Sequence, residues 1–207
     1  MALSMVAIAE PPELPLTGER TLAGQAPQRT THFRATVRLG RTPPAARPAE
    51  RLHGEGPGVA AADLYAVYFH GPAYQVLERA WVRDGIAVGL LPAALPAAHH
   101  PPERPLAFAP RLVELCFQTA GLHEMRGTRR MGLPARLGRV EVLGDGGASA
   151  GRLTAVVHHR GAGPFDAVVV DETGNALVRL EGYRTAALPE ELPEAALRRL
   201  SETPPAA

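Results

Sequence analysis

No lysine occurs among the 207 residues, so all 22 basic side chains are arginine. This usage reads as a GC-rich coding bias rather than as a phosphate-binding surface. Against 21 acidic residues the formal net charge is +1, too small a field to draw nucleic acid or an anionic membrane. Nucleic-acid binding is set aside on that balance. The single cysteine, Cys116, excludes an internal disulfide and fits a reducing compartment. Its apolar neighbours assign it to packing rather than to nucleophilic chemistry. A long hydrophobic run is also missing: the longest uncharged stretch, Ile86 to Pro102, is interrupted by prolines and cannot span a bilayer as a helix. The opening MALSMVAIA lacks a basic n-region and is short for a signal peptide. The expectation is a soluble, cytoplasmic protein.

What is present fits one domain with appendages, since 45% hydrophobic and 21% charged residues are ordinary globular proportions. Residues 10–30 and 40–60 are rich in Pro, Gly, Ala and Arg and read as loop. The expected organisation is an N-terminal extension (1–30), a domain (31–188) and a flexible tail (189–207) with a short helix over Glu190 to Leu200. THFRATVRLG alternates through Phe33, Ala35, Val37 and Leu39, as a half-exposed strand does. Val76 to Leu91 reads as strand, turn at Arg83-Asp84-Gly85, and strand. RVEVLG, RLTAVVHHRG, FDAVVVD and ALVRLEGYRTAAL follow as strands, the last two joined through the turn DETGN.

Between these lies PRLVELCFQTAG, Pro110 to Gly121. Leu112, Val113, Leu115, Cys116, Phe117 and Ala120 cover most of a helical wheel, as in a helix with protein on nearly all sides. An antiparallel meander with one buried helix argues for α+β. A curved antiparallel sheet wrapped around that long central helix is the hotdog fold.

Glu114 and Gln118 interrupt the apolar wheel. They lie about 40° apart on one face, so Gln118 can orient the carboxylate, and Gly121 continues that face two turns on. Apolar walls favour the protonated form that a general acid needs. The alternative is a pairing of Glu114 with Arg111 near the helix N-terminus, where the macrodipole favours a carboxylate. His158 and His159 point to opposite faces of a strand and do not make a metal site, so no metal is expected.

Two motifs carry a family resemblance over roughly residues 30–188. FHGPAYQVL (Phe69 to Leu77) resembles the YGPxFQ-type motif of polyketide synthase dehydratase domains. PRLVELCFQ resembles their Pro-x-x-x-Asp-x-x-x-Gln pattern, kept here by Pro110, Glu114 and Gln118 with glutamate for aspartate. GYRTAAL resembles their last strand. The resemblance is to the C-terminal half of a double hotdog, in flavour closest to polyunsaturated-fatty-acid-type and iterative synthases. It implies a dehydratase for carrier-bound 3-hydroxyacyl thioesters, with Glu114 as acid and Gln118 beside it, and with no cofactor. His70 stands where the family has tyrosine; it reaches Glu114, or is a loop histidine bonded to backbone. Phe69, Gly71, Pro72, Tyr74, Gln75 and Gly121 are the implied substrate-binding residues, Gly71 and Pro72 also shaping the turn.

The family's catalytic histidine sits in a His-x-x-x-Gly-x-x-x-x-Pro pattern, and none of the eight histidines here fits it. The implied partners are therefore a carrier protein with its phosphopantetheine thioester and a partner hotdog that supplies the histidine, in the same synthase or as a second chain. Exposed sheet edges also make a homodimer an expected pairing. A non-catalytic acyl-binding or scaffold hotdog, and a thioesterase in which Glu114 activates water, are the alternatives.

Overall fold

The computed structural model describes residues 13–38, 57–103, 110–144, 151–161 and 163–201. The opening MALSMVAIA, most of the 40–60 segment and the final TPPAA lie outside them. The chain divides into two compact units, Met1–Pro44 and Ala45–Ala207.

The first unit holds a hairpin. β1 (Glu13–Arg20) pairs antiparallel with β2 (Gln28–Thr36), Leu16 facing Phe33 and Leu14 facing Ala35. The expected loop over residues 10–30 is therefore a strand in its middle. Leu14 and Leu16 alternate with Glu13, Pro15 and Thr17, a period-2 pattern that Pro15 and Gly18 disguise. Glu13 and Arg34 pair at 3.1 Å on the other face. β2 ends at Thr36, short of Val37, and Leu39 lies outside the described residues.

The second unit carries β3 (Val59–Ala60), α1 (Ala61–Leu64), a 3-10 turn (Pro72–Tyr74), β4 (Arg79–Arg83) and β5 (Ile86–Leu90). Then come α2 (Pro110–Thr128), β6 (Arg130–Arg136), β7 (Arg139–Val142), β8 (Thr154–His159), β9 (Phe165–Val170), β10 (Ala176–Glu191) and α3 (Glu194–Arg199). One sheet orders the strands β3-β4-β5-β8-β9-β10-β6, and β7 also pairs with β10. Every pairing is antiparallel.

Local chemistry fixes the hairpins. Asp84 and Gly85 both adopt positive φ (51° and 77°), the geometry that a two-residue β4–β5 turn requires. In the β9–β10 turn Asp171 Oδ1 accepts from the Thr173 and Asn175 backbone N–H groups, and Gly174 takes φ 89°.

The sheet wraps α2, which lies against β4, β5, β6, β8, β9 and β10. Leu112, Leu115, Cys116, Thr119, Ala120, Leu122 and Met125 are buried on it, with Ala87, Ala155, Val157, Val169, Val178 and Leu180 in the same core. Gly89 on β5 meets the helix so closely that a Cβ there would collide with the Thr119 hydroxyl. A small residue at that point lets helix and sheet close. The opposite face of the sheet holds a second cluster, Trp81, Val88 and Leu90, so β5 is apolar on both sides. This is the hotdog arrangement that the buried-helix pattern predicted.

Three strands of this unit differ from the sequence reading. β3 lies within the expected 40–60 loop, and its two residues pair with β4. β6 escapes a strand pattern because Gly132 and Pro134 sit in it; as an edge strand it tolerates a proline without an N–H. β10 runs past Leu188 to Glu191, which pairs with Arg130, so the following helix begins at Glu194 rather than Glu190.

Candidate active site

Glu114 lies on the second turn of α2, whose first turn has no acidic residue, so the helix dipole does not account for it. Nor does Arg111. Its Nε donates to the Ala73 carbonyl at 2.9 Å, another guanidinium nitrogen reaches the Pro96 carbonyl, and the group lies 6.0 Å from the Tyr74 ring centre. Instead His70 Nε2 meets Glu114 Oε1 at 3.0 Å, and Gln118 Nε2 donates to the same oxygen at 2.9 Å. The Glu114 and His70 side chains are 22% and 19% exposed.

A hydrogen-bonded shelf holds this pair. Gln118 is 2% exposed; its Nε2 also donates to the Tyr74 carbonyl at 2.9 Å, and its Oε1 accepts from Tyr65 at 2.8 Å. The Leu77 backbone N–H donates to Tyr65 at 2.7 Å. Tyr68 donates to the Gln118 backbone carbonyl at 2.6 Å. Burial pushes both phenols well above the usual tyrosine range, so they act as donors near neutral pH.

The His70 ring is boxed in. Phe69 stacks on it at 5.0 Å and Tyr68 meets it edge-on at 5.5 Å. Its Nδ1 is buried without a hydrogen-bond partner. A proton on that nitrogen would be a buried donor with no acceptor, so the tautomer protonated on Nε2 fits this geometry. That proton is donated to Glu114, and neither nitrogen is left for a substrate. Of the two readings of His70, contact with Glu114 is the one observed.

Gly71 caps the 3-10 turn that Pro72 begins, and Gly71 has open space where a Cβ would stand. The Tyr74 carbonyl binds Gln118, and Gln75 Nε2 donates to the His70 carbonyl at 3.1 Å. Phe69 is 71% exposed. Gly121 is buried, and the room left by its missing side chain is taken by the Tyr68 hydroxyl, 2.6 Å from where a Cβ would be. Cys116 is buried and burial raises its thiol pKa, in keeping with packing.

Sequence reasoning missed Tyr65 and Tyr68. Their signal was present in DLYAVYFHGP: two tyrosines one helical turn apart ahead of the motif, each needing a partner once buried. Among the described residues no three His, Cys, Asp or Glu side chains group as a metal site. Among them, too, no helix is long and apolar enough to cross a membrane.

A sheet curled round one helix that presents a clamped carboxylate is a hotdog domain with a candidate acid at its helix. Comparison with known proteins makes that particular. Residues 38–195 match the family described as "Polyketide synthase dehydratase N-terminal domain". The chain belongs to this polyketide synthase dehydratase family. It is similar, at 30% identity over 119 residues, to the polyketide synthase ThaG of Burkholderia thailandensis, a match covering 57% of this chain and 2% of that protein. The dehydratase domain from the CurF module of curacin polyketide synthase superposes with a TM-score of 0.62 at 18% identity, covering 88% of this chain and 66% of that one. The dehydratase domain of PpsC from Mycobacterium tuberculosis, in complex with C12:1-CoA, does so with a TM-score of 0.54 at 25% identity over 77% of this chain and 60% of that one. The chain thus spans less than two thirds of each of these relatives.

Proposed function

We propose that the chain is the acid-bearing half of a dehydratase for carrier-bound 3-hydroxyacyl thioesters in polyketide or fatty-acid-like synthesis. The observation that carries this reading is the Glu114 carboxylate, held at Oε1 by His70 and Gln118. In its acid form Glu114 gives its proton to the departing C3 hydroxyl, which leaves as water. A base removes the C2 proton, that C–H pair becomes the C2–C3 double bond, and the thioester is retained. Proton exchange with solvent resets both groups. No cofactor enters this step.

The base comes from a partner hotdog that carries the histidine, a first hotdog of the same synthase or a different second chain. His70 has no nitrogen to offer, and no histidine of the chain stands in the family's His-x-x-x-Gly-x-x-x-x-Pro pattern. Although the matched description reads "N-terminal domain", Glu114 and Gln118 favour the C-terminal, acid-bearing half of a double hotdog. FHGPAYQVL favours the polyunsaturated-fatty-acid or iterative synthase type. Phe69, Gly71, Pro72, Tyr74 and Gln75 border the entry for the pantetheine arm of a carrier protein, with Gly121 deeper along the helix. The acyl thioester in the PpsC complex supports the substrate class. Such chemistry belongs in the cytoplasm.

The enclosed His70 also favours a second reading, a non-catalytic hotdog that binds or scaffolds acyl groups. Mixing the full chain with a hotdog that carries the histidine motif, and following a 3-hydroxyacyl pantetheine thioester by mass, separates the two. The enoyl thioester is expected only from the mixture and not after Glu114→Gln. Turnover by the chain alone, or undiminished turnover with Glu114→Gln, would sink the proposal; acyl binding with no turnover in any pairing selects the scaffold. Release of free thiol selects the thioesterase.

A further inference from the structure

The Tyr65 hydroxyl has one hydrogen, and its surroundings decide where that hydrogen points. The Leu77 backbone N–H already donates to the oxygen at 2.7 Å. The hydroxyl hydrogen therefore goes to Gln118 Oε1, 2.8 Å away. A glutamine amide accepts on one side and donates two hydrogens on the other. With Oε1 held by Tyr65, Nε2 faces two acceptors, the Tyr74 carbonyl and Glu114 Oε1, each at 2.9 Å.

The flipped amide has no such fit. Its oxygen would face a carbonyl and a carboxylate, and its NH2 would face a hydroxyl that is already accepting from Leu77. Gln118 is 2% exposed, so water does not relieve those contacts. Burial first, with the Glu114 charge adding and the Leu77 bond opposing, keeps Tyr65 in its protonated, donating form.

We infer that Tyr65 is a positioning residue: it fixes the orientation of the Gln118 amide and thereby directs the second hydrogen bond onto Glu114 Oε1. This rests on the proposed role of Glu114. Both described hydrogen bonds to the carboxylate fall on Oε1, and Oε2 receives none among the described residues. Oε2 is then the oxygen turned to the leaving hydroxyl. Tyr65 acts through Gln118, since its own described bonds go to Leu77 and Gln118 only.

The test has two arms. In 1H–15N spectra of the full chain alone, the two Gln118 side-chain hydrogens give separate signals that exchange about 100-fold more slowly than an exposed amide. Tyr65→Phe speeds that exchange by at least about tenfold. Rapid exchange in the unaltered chain, a measurement that needs no variant to fold, overturns the inference, as does slow exchange that survives Tyr65→Phe. In the assembly with a histidine-bearing hotdog, Tyr65→Phe and Gln118→Ala each lower kcat by about tenfold with KM changed less than about twofold. The double variant loses no more than Gln118→Ala alone, because the two residues form one relay. Losses that multiply would show Tyr65 working through the fold instead. Should the assembly never dehydrate while Tyr65→Phe frees the amide, the relay stands and the dehydratase reading falls.

Discussion

His70 and Glu114 meet at 3.0 Å through Nε2 and Oε1, and the other imidazole nitrogen is sealed inside the protein. The two residues are therefore unequal in the chemistry proposed. Glu114→Gln is expected to lower kcat of the assembled enzyme by at least about 100-fold, the range of a lost general acid. His70→Phe removes one hydrogen bond to the carboxylate and is expected to cost about tenfold. Steady-state kinetics on both variants checks the order. A His70→Phe loss equal to that of Glu114→Gln would make the imidazole a full partner in proton transfer.

This asymmetry was only half visible in the sequence. The spacing of Glu114 and Gln118 placed them on one helix face, and the apolar wheel around them required a sheet on nearly every side. Both features are set by local periodicity, so they could be read directly. The enclosure of His70 depends on Phe69 and Tyr68 folding over it from the loop before β4, which periodicity does not encode. Tyr65 and Tyr68 are spaced like an ordinary helical pair, and only the path of the loop turns them toward Gln118. The β1 and β6 strands were obscured by Pro15 and Pro134, residues that an exposed or edge strand accepts and a central one does not.

Gly121→Ala should change sign with its neighbour. A methyl there would stand 2.6 Å from the Tyr68 hydroxyl, which must leave its bond to the Gln118 carbonyl. The expected cost is about 1–3 kcal/mol, outweighing the gain of about 1 kcal/mol from replacing a helical glycine. In the Tyr68→Phe background the clash is gone, and the same substitution should be neutral or stabilising. Urea unfolding of the four proteins measures this; a similar penalty in both backgrounds would contradict the packing described.

Acid should weaken the fold through His123. Burial lowers its pKa below 6.5, with His159 and Arg126 adding and a bond to the Gly85 backbone opposing. Its ring packs edge-on against His159 and Phe165. Because the folded imidazole resists protonation, the unfolded chain takes up the proton first. The contribution is complete above about pH 6.5 and declines as the pH falls below it toward the depressed folded value. His123→Phe keeps a ring in place and is expected to flatten that part of the stability profile. An unchanged profile would place the acid sensitivity elsewhere.

A second acid-dependent element lies in the β9–β10 turn. Burial pulls the Asp171 pKa upward, but bonds from Thr173 and Asn175 outweigh it and hold the carboxyl at about 2, against an ordinary 3.8. The stabilisation is present above the ordinary value and is lost as the pH drops through about 2. Asp171→Ala removes the turn's acceptor and should lower Tm by a few degrees at neutral pH. The difference from the parent should shrink as the solution is acidified, and scanning calorimetry at two pH values reads both effects.

Phe69 leaves 71% of its surface in solvent while its inner face stacks on the His70 ring. A surface that settles over this phenyl group would drive water from the hydrogen bond between His70 and Glu114 beneath it. With less water to compete, that hydrogen bond strengthens. Under the proposed function, a partner docking on Phe69 would cover the phenyl ring and dry the His70–Glu114 contact in one event.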